Sequence, residues 1–519
     1  MGAFARVRRV FVLIVSLVLA GGVFQRAAAQ GVVPSQYIAK LFTEAIGRVP
    51  DRADLDLQTG FFAANGCNLA SVQAAGRAFY LSDAYQQLQY DNPAKLLTAF
   101  RGLLNREPDG PTFDALLAAL DTGRPFAQVL DVNFLTSPEF QALVPRICGP
   151  ADYGFNGSLP ALAVPVSGPG FVGSGDALQT VISDLVNTEQ GMFLGLAQKA
   201  VIVLRSPLYI PPGFTLFTVG APGPTRYAMM ARLVRGPGFP AGQPTVVLAG
   251  AGITLGDVWV DGQRGAPGVT AAPGNADIQS FQTDGTFIQR TKVSGTSGDV
   301  AINLVGAVNG FACGQTRVFG NVITGYGGLR AGIATDCERA LIDSNQIVDV
   351  SSVGVQVGAG LVSQTSRVIG NRIFSAGRPA TAGIFVNPRA ADLPVFGGRR
   401  LSGSFTGSSV ANNVIQASDR SAFVFGILLG NRVFFGATSN TGFEASATNN
   451  MLSGRFNVAL AVSGMLNATV VNNAGNIAGI VLTPSCPTGL VGIGPAQFSS
   501  GTIQQPAPPV FLPDRCAVQ

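Results

Sequence analysis

The chain has 519 residues, of which 12% are charged and 66 are glycine. This length allows two or more domains with sizeable cores, and the composition suits an extracellular β-rich protein better than a cytosolic helical one. The formal charge of +5 includes Arg6, Arg8, Arg9 and Arg26 near the N-terminus, without which it is about +1. The composition therefore argues against a nucleic-acid partner.

Residues 1–29 have the pattern of a secretory signal peptide. Three arginines form a basic start, residues 10–24 are apolar, and Ala27-Ala28-Ala29 is a small-residue cleavage site. The apolar run is shorter than the ~20 residues that a membrane span needs, and no later segment is long and apolar enough. We expect a secreted or cell-surface protein with no membrane span in the mature chain.

Residues 35–149 show helical spacing of apolar residues, and Pro111 lies where a first-turn proline belongs. This segment contains two related copies. The motif from Leu41 to Asp51 returns from Ala99 to Asp109, and Phe79-Tyr-Leu-Ser82-Asp-Ala-Tyr85 returns as Phe134-Leu-Thr-Ser137-Pro-Glu-Phe140. We expect a small all-α domain built from this duplication.

These motifs, LFxxxxGRxPD followed by FLxSPEF, resemble the bacterial domain of unknown function 4214, which is common in secreted and surface-layer-associated proteins. The first copy departs from the pattern, with Ser-Asp-Ala-Tyr in place of Ser-Pro-Glu-Phe. The resemblance implies a location and an attachment or assembly role, and no reaction. Within each copy, Arg48 with Asp51 and Arg106 with Asp109 are predicted to stabilise a turn.

Residues 150–175 are rich in Gly, Pro and Ser and read as a linker. A short amphipathic helix is predicted over 176–186, and it precedes short strands punctuated by Pro211-Pro212-Gly213. A helix in this place is suited to cap the open first coil of a solenoid. We assign residues 176–482 to that solenoid.

One short pattern recurs through the solenoid: an apolar pair, a small residue, an asparagine and another apolar pair. The recurring asparagines are Asn321, Asn345, Asn371, Asn413, Asn450 and Asn473, at intervals of 24, 26, 42, 37 and 23 residues. A period in the low twenties with two insertions indicates a solenoid. Stacked amides can hydrogen-bond from coil to coil, and asparagine tolerates a left-handed bend between two strands.

The segment from Gly252 to Gly262 begins this ladder, with Asp257 and later Thr291 in the place of the asparagine. Residues of about 170–480 resemble the pectate-lyase-like superfamily of single-stranded right-handed parallel β-helices. The fold class predicted for the chain is therefore mainly β, with a right-handed parallel β-helix preceded by a small all-α domain.

The ladder also fixes which side chains point outward. Alternation along the third strand of each coil places Ile302, Ile333, Val355, Ile384, Ile427 and Leu460 inside. The outward set is Asn303, Ala334, Gln356, Phe385, Leu428 and Ala461. Candidate substrate-binding residues are Asn303, Gln356 and Phe385 on this face, and Asn387, Arg389, Asn431 and Arg432 in the turns beside it.

Catalytic residues are harder to find, because this face carries amide and apolar groups. Glycoside hydrolysis needs two carboxylates flanking one bond, and lyase chemistry needs a base together with neutralisation of a uronate. The weak candidates are Asp336, Glu338 and Arg339, for which a solvated turn is the simpler interpretation.

Two further motifs resemble those of β-helix enzymes but fail at defining positions. The segment Val258-Trp259-Val260-Asp261 is similar to a lyase motif, yet Gly262 stands where that motif has His. The start of a polygalacturonase-like pattern at Gln282-Thr-Asp284 lacks its Gly-His-Gly partner, because the chain contains no histidine. Trp259 is therefore predicted to be a core or stacking residue.

Six cysteines, an even number, predict disulfides in an oxidising compartment. Their spacing favours Cys67 with Cys148, Cys313 with Cys337 across neighbouring coils, and Cys486 with Cys516 around a Pro-rich C-terminal cap at 483–519. The absence of His and of a Cys-x-x-Cys motif excludes a zinc site. We expect no metal and no cofactor.

The sequence thus predicts a surface protein that binds an extracellular polysaccharide or envelope component without catalysis. The alternatives are a polysaccharide lyase or glycoside hydrolase, and a structural, spike-like module. The ligand and the oligomeric state are not predicted.

Overall fold

The computed structural model describes residues 33–149, 170–189, 191–266, 268–270, 275–281, 284–306, 313–325, 329–358, 365–388, 404–418, 420–431, 442–462, 465–466, 468–475 and 497–498. The predicted signal peptide, most of the predicted linker and nearly all of the predicted C-terminal cap, with Cys486 and Cys516, lie outside these residues. Among the described residues, no helix is long and apolar enough to cross a membrane.

A helical domain comes first. Its helices are α1 (Ser35–Leu41), α2 (Arg52–Asn65), α3 (Leu69–Tyr80), α4 (Asp83–Gln86), α5 (Asn92–Leu103), α6 (Gly110–Asp121), α7 (Phe126–Val129) and α8 (Pro138–Cys148). The π-helical segments Phe42–Ile46 and Leu130–Leu135 continue α1 and α7. Side chains at the helix starts, such as those of Asp51 and Asp109, accept backbone N–H groups of the first turn. The predicted disulfide between Cys67 and Cys148 is present.

The two sequence copies share their local geometry. Gly47 and its counterpart Asn105 both have a left-handed backbone, with φ of 70° and 56°. Ser82 and its counterpart Ser137 both cap a helix, at 3.2 Å and 3.1 Å from the N–H three residues on. The predicted turn pairing needs one correction.

Arg48 pairs with Asp54, and not with Asp51 as predicted. The Asp51 carboxylate caps α2 by accepting the backbone N–H of Asp54, and this places the Asp54 side chain beside the Arg48 guanidinium. Arg106 contacts Asp109 as predicted, and it also forms a bidentate pair with Glu139.

Helix α9 (Gly175–Asn187) follows, and three parallel sheets are built from strands numbered β1 to β32 along the chain. Sheet A contains β1 (Phe193–Leu196), β4 (Thr215–Thr218), β7 (Thr254–Gly256), β10 (Phe287–Gln289), β13 (Arg317–Phe319), β16 (Leu341–Asp343), β19 (Arg367–Ile369), β22 (Ser409–Ala411), β26 (Ser446–Thr448) and β30 (Thr469–Val471). Sheet B contains β2 (Val201–Leu204), β5 (Ala231–Arg235), β8 (Val258–Asp261), β11 (Lys292–Ser294), β14 (Val322–Thr324), β17 (Gln346–Val348), β20 (Arg372–Ser375), β23 (Val414–Ala417), β27 (Met451–Ser453), β31 (Ala474–Gly475) and β32 (Gln497–Phe498).

Sheet C contains β3 (Leu208–Ile210), β6 (Val246–Ala249), β9 (Ala276–Phe281), β12 (Val300–Val305), β15 (Ala331–Thr335), β18 (Val353–Gly358), β21 (Ala380–Asn387), β24 (Phe423–Leu429) and β28 (Phe456–Val462). A two-residue pair, β25 (Gly442–Phe443) and β29 (Met465–Leu466), lies outside the three sheets, and a 3₁₀ turn spans Pro224–Met229. Coils are numbered from coil 1 (β1 to β3), and coils 1 to 9 each have one strand of each sheet. Coil 10 contains β30 and β31, and β32 pairs with β31. This is the predicted parallel β-helix with a helical domain before it.

The predicted asparagine ladder runs through the turn between sheets A and B. All six side chains are at most 1% exposed. Each ladder amide from Asn321 to Asn450 donates to the Oδ1 atom of the next one, at 2.8 to 3.0 Å. Because each amide also donates to a backbone carbonyl of the coil before it, the ladder satisfies buried polar groups along six coils.

The left-handed bend lies one residue earlier than predicted. Gly320 and Asn412, which precede ladder asparagines, have φ of 64° and 56°. The register places Asp257 at this bend position and Val258 at the ladder position, so the prediction that Asp257 replaces an asparagine is wrong. Asp257 is instead bound by Arg290 across neighbouring coils. Thr291 does occupy the ladder position, and its N–H donates to Asn321.

The helical domain lies along the outer face of sheet B. Its contacts reach from coil 1, where Lys199 pairs with Asp91, to coil 8, where Arg420 donates to the carbonyls of Cys148 and Gly149 at the end of α8. Between these ends, the helical core packs against a set of outward side chains: Tyr227, Met229, Met230, Trp259, Val348 and Phe374. We call this contact the domain junction.

Candidate functional site

The outer face of sheet C is where the sequence predicts a binding surface. The register aligns one row of outward side chains: Tyr209, Val247, Gln279, Asn303, Ala334, Gln356, Phe385, Leu428 and Ala461. The inward column of Ile302, Ile333, Val355, Ile384, Ile427 and Leu460 is buried as predicted. The register predicted for this strand is therefore confirmed.

Beyond Tyr209 and Val247, this row has two halves. Gln279, Asn303, Ala334 and Gln356 are partly exposed and form what we call the amide half. Further along, Phe385, Leu428 and Ala461 point out of the coils yet are at most 6% exposed, within a second apolar cluster. Phe385 was predicted to contact substrate from this face, but its side chain is buried, because it packs in that cluster.

The weak catalytic candidates lie in the turn after β15. Asp336 is 8% exposed, and its carboxylate accepts the backbone N–H of Gly306 in the preceding coil. Glu338 is half-buried and Arg339 is exposed. Because the carboxylate of Asp336 is engaged with backbone, its role in this geometry is to tie coil 4 to coil 5.

The disulfide between Cys313 and Cys337 joins the same two turns, with a Cα to Cα distance of 4.9 Å. The predicted staple across neighbouring coils is therefore present. It fixes the turn that carries the three catalytic candidates.

The predicted turn residues form a pair further along the solenoid. The Asn431 amide donates to Oδ1 of Asn387 at 2.9 Å, and Asn431 is fully buried while Asn387 is partly exposed. Arg389 and Arg432 lie outside the described residues. Of these candidates, Asn387 retains surface that a ligand could reach.

The strongest concentration of perturbed ionisable groups lies at the domain junction, where the sequence predicts no site. Glu44 in the helical domain accepts Lys292 from coil 4 at 3.1 Å. Glu107 accepts Arg101 at 2.9 Å and Arg232 from coil 2 at 3.1 Å. These five side chains are between 2% and 8% exposed, so the junction contains a nearly dry ionic network.

Two further residues complete the network. Asp261 from coil 3 accepts the Arg232 guanidinium, and Lys40 donates to Asn105. Trp259 in coil 3 lies in one row with Arg232 of coil 2 and Lys292 of coil 4. The guanidinium carbons of Arg101 and Arg232 are 4.2 and 4.1 Å from the centroid of its ring. The prediction that Trp259 is a core or stacking residue is confirmed.

Burial and neighbouring charges set the protonation of this network. Burial alone would raise the pKa of Glu107, but Arg101 and Arg232 outweigh it and hold the pKa at about 2. Burial lowers the pKa of Lys40 and of Lys292 to about 8, although Glu44 opposes the change. At neutral pH Glu44 and Glu107 are therefore ionised, and both lysines are mostly protonated.

A cavity of about 20 Å³ lies inside the network, lined by Lys40, Glu44, Arg101, Glu107, Trp259, Asp261, Ser294, Gly295 and Thr324. This volume admits a particle the size of one water molecule. A saccharide ring does not fit in this cavity.

In the described part of the chain, no three His, Cys, Asp or Glu residues are grouped so that they could hold a metal ion.

The sequence contained one signal for the domain junction. Arg232, Trp259 and Lys292 occupy the same register position in three successive coils. A tryptophan between two cations is unusual on a solvated strand face, so this row indicates a covered surface.

Comparisons with known proteins find structural similarity at low sequence identity. No protein-family model matches the chain, so the resemblance to domain of unknown function 4214 finds no support there. No curated protein matches either. Solved structures with similar coordinates are right-handed parallel β-helix proteins.

The Dettilon tailspike protein is 14% identical, with 62% of this chain and 65% of the tailspike covered and a TM-score of 0.38. A surface adhesin of Streptococcus pneumoniae is 10% identical over 60% of this chain and 88% of the adhesin, with a TM-score of 0.34. The A-module of a mannuronan C-5 epimerase from Azotobacter vinelandii is 13% identical over 64% and 96%, with a TM-score of 0.32. All three TM-scores are below 0.5, so function has to be argued from the residues of this chain.

Proposed function

We propose that this is a secreted or cell-surface protein that binds an extracellular polysaccharide without cleaving it, through the amide half of sheet C. The observation that carries the proposal is the register of Gln279, Asn303 and Gln356 on one partly exposed face. Neighbouring coils are about 4.8 Å apart, so the face presents regularly spaced groups that both donate and accept hydrogen bonds. Sugar hydroxyls have the same double capacity.

The neighbouring residues support binding over cleavage. Tyr209 is 46% exposed at the start of the row, where its ring could stack on a sugar. None of the described side chains in the row is a carboxylate, whereas bond cleavage by the usual glycosidase route needs two. Asp336, which lies in the turn beside the face with Glu338, is engaged by the backbone of Gly306.

The disulfides support the location. Cys67 with Cys148 and Cys313 with Cys337 are both formed, and such bonds persist in oxidising compartments. An extracellular ligand is therefore the appropriate class.

The test is to incubate the mature protein with a panel of neutral and uronate-containing polysaccharides while following both retention and product release. We expect retention without new reducing ends or unsaturated products. The double variant Asn303→Ala, Gln356→Ala should raise the dissociation constant roughly tenfold or more, because each lost hydrogen bond contributes about 0.5–1.5 kcal/mol.

The matched control is Gln289→Ala, which removes a partly exposed amide from the outer face of sheet A. It should bind as the parent does. Product release that disappears in Asp336→Ala would overturn the non-catalytic proposal in favour of a lyase or hydrolase. Failure to bind any polysaccharide would leave a structural module.

A further inference from the structure

Lys40 and Asn105 meet in the interior of the helical domain. Lys40 lies in α1 and Asn105 lies in the turn after α5. They are 65 residues apart, and the Lys40 side-chain nitrogen donates to Oδ1 of Asn105. Their exposed fractions are 2% and 0%, so bulk water does not surround them. The contact places a primary amine beside the carbonyl carbon of a side-chain amide in a nearly dry site.

The backbone of this turn does not require an asparagine side chain. Asn105 has a left-handed backbone, with φ of 56°, and asparagine tolerates that conformation. Glycine tolerates it at least as well. In the first sequence copy Gly47 takes the same place with φ of 70° and has no side chain. The amide of Asn105 is therefore not explained by the turn alone.

Two carboxylates act on the lysine. Glu44 follows Lys40 by four residues, and Glu107 follows Asn105 by two. Burial lowers the pKa of Lys40 to about 8, while both carboxylates oppose the change and Glu44 has the larger effect of the two. A neighbouring carboxylate can take a proton from an ammonium group, and the neutral amine that results is a nucleophile. A nucleophile, a base and an electrophilic carbon are thus grouped here.

The cavity at the domain junction adjoins these groups. Lys40, Glu44 and Glu107 line it, and its volume is about 20 Å³. A cavity of this size admits one water molecule. An ammonium ion has a similar size, so a small leaving group released beside Lys40 has a place to go.

We propose that Lys40 and Asn105 react with each other to form an amide bond between Nζ and Cγ, which joins α1 covalently to the turn after α5. Glu44 accepts a proton from the Lys40 ammonium, and the neutral Nζ attacks Cγ of Asn105. The Nζ–Cγ bond forms and the Cγ–Nδ2 bond breaks.

The step needs no oxidant, reductant or further reactant. Nζ gives up two protons in total, both pass through Glu44 to Nδ2, and Nδ2 leaves as ammonium. The Glu44 carboxylate is regenerated, and the net positive charge is unchanged. A covalent bond that closes a loop restricts the unfolded chain, so we expect it to stabilise the helical domain as a disulfide does.

The first test is mass spectrometry of the mature protein after reduction of its disulfides and digestion with trypsin. Trypsin does not cleave after an acylated lysine. We expect one branched peptide that joins residues 102–106 to the segment ending at Arg48, with a mass lower than the sum of the two by one ammonia molecule. Cleavage after Lys40 and two separate peptides from the folded parent protein would overturn the proposal.

Variants identify the reacting residues. Lys40→Arg keeps a cationic donor, but a guanidinium stays protonated and is not a nucleophile. Asn105→Gly keeps the left-handed turn, as Gly47 does. Both variants should lack the branched peptide and should unfold at a lower Tm than the parent. Lys95→Arg is the matched control, because Lys95 is a partly exposed lysine of α5, and it should retain the peptide. A branched peptide that persists in Lys40→Arg would contradict the assignment.

The role of Glu44 is tested by the rate of bond formation. The protein is isolated unfolded in urea and refolded, and the branched peptide is measured at successive times. Glu44→Gln should form it about a hundredfold more slowly than the parent, since general-base catalysis contributes on that order. Glu44→Asp, which keeps a carboxylate, should recover part of the rate. Trp259 fluorescence checks that each variant has folded. A folded Glu44→Gln variant that reacts at the parent rate would exclude Glu44 as the proton acceptor.

Discussion

Glu44 and Lys292 form an ion pair of 3.1 Å, although they are 248 residues apart and both are buried. The ammonium of Lys292 also lies 3.3 Å from the centroid of the Tyr227 ring. Together with the apolar contacts of Trp259 and Phe374, this pair joins the helical domain to the outer face of sheet B. The two domains should therefore unfold as a unit.

The ion pair itself can be tested with Lys292→Met. Removing one partner of a buried pair leaves the other charge without full compensation, which costs roughly 3–5 kcal/mol. We expect that loss in the free energy of unfolding measured with urea. The double variant Glu44→Gln, Lys292→Met should recover a large part of it, whereas Arg52→Met in an exposed pair should cost less than about 1 kcal/mol. A double variant as unstable as the two singles summed would contradict this explanation.

The ladder offers a comparison between adjacent asparagines. Asn413 is buried, accepts from Asn371 and donates to Asn450 and to the carbonyl of Val368. Asn413→Ala leaves several buried groups unsatisfied, at about 1–3 kcal/mol each, so we expect a large loss of stability in thermal or chemical unfolding.

Asn412 is exposed with φ of 56°, so Asn412→Gly, which tolerates that backbone, should change stability by less than about 1 kcal/mol. Similar losses in the two variants would mean that the ladder bonds do not stabilise the fold.

Asp277 predicts a pH dependence of the solenoid. Burial raises its pKa to about 7, although Thr245 donates to it at 3.1 Å. The folded state therefore holds a proton that the unfolded state releases near pH 4, and stability should fall as pH rises from about 4 to 7, on the order of 1 kcal/mol per pH unit.

Asp277→Asn should remove this dependence and stabilise the protein at pH 8, as measured by Tm against pH. Asp56→Asn, at an exposed position, should leave the profile unchanged. A parent profile identical to that of Asp277→Asn would refute the raised pKa.

Glu107 predicts the behaviour in acid. Because its pKa is held at about 2, its pairs with Arg101 and Arg232 contribute stability that is present above about pH 4.5 and is lost as pH falls towards 2. Trp259, the single tryptophan of the chain, is 4% exposed at this junction. Its fluorescence emission should shift to longer wavelength over that pH range. In Glu107→Gln the fluorescence shift of Trp259 should no longer follow the protonation of residue 107, so its pH midpoint should change. A midpoint equal to that of the parent protein would contradict the assignment.

The register of the solenoid could be predicted from sequence because the signal is local and repeated. Each ladder asparagine lies between apolar pairs, so the burial of Ile302 or Ile384 can be predicted by counting residues along one coil. The error at Asp257 has a physical cause. Both the bend and the ladder favour asparagine, as at Asn412 and Asn413, and at coil 3 the ladder position carries Val258 instead.

The domain junction could not be predicted in the same way. Lys40, Glu44 and Arg101 belong to helices whose charged residues look solvent-facing, and their partners lie far along the chain. Arg232 is 125 residues from Glu107, and no local periodicity connects them. Burial of Phe385 was missed for a related reason, since an outward position on a strand is exposed only where nothing packs over it.

The position of the helical domain along sheet B has a consequence for biogenesis. Residues 33–149 are synthesised before any strand of the solenoid, and their partners then follow in chain order: Lys199, Arg232, Lys292, Gln346 and Arg420. Coils 1, 2, 4, 6 and 8 thus each meet a charge or a hydrogen-bonding group of the helical domain, which has been synthesised before them. The helical domain is positioned to act as an intramolecular template on which the solenoid is laid down from its N-terminal end, in the direction in which the chain is made.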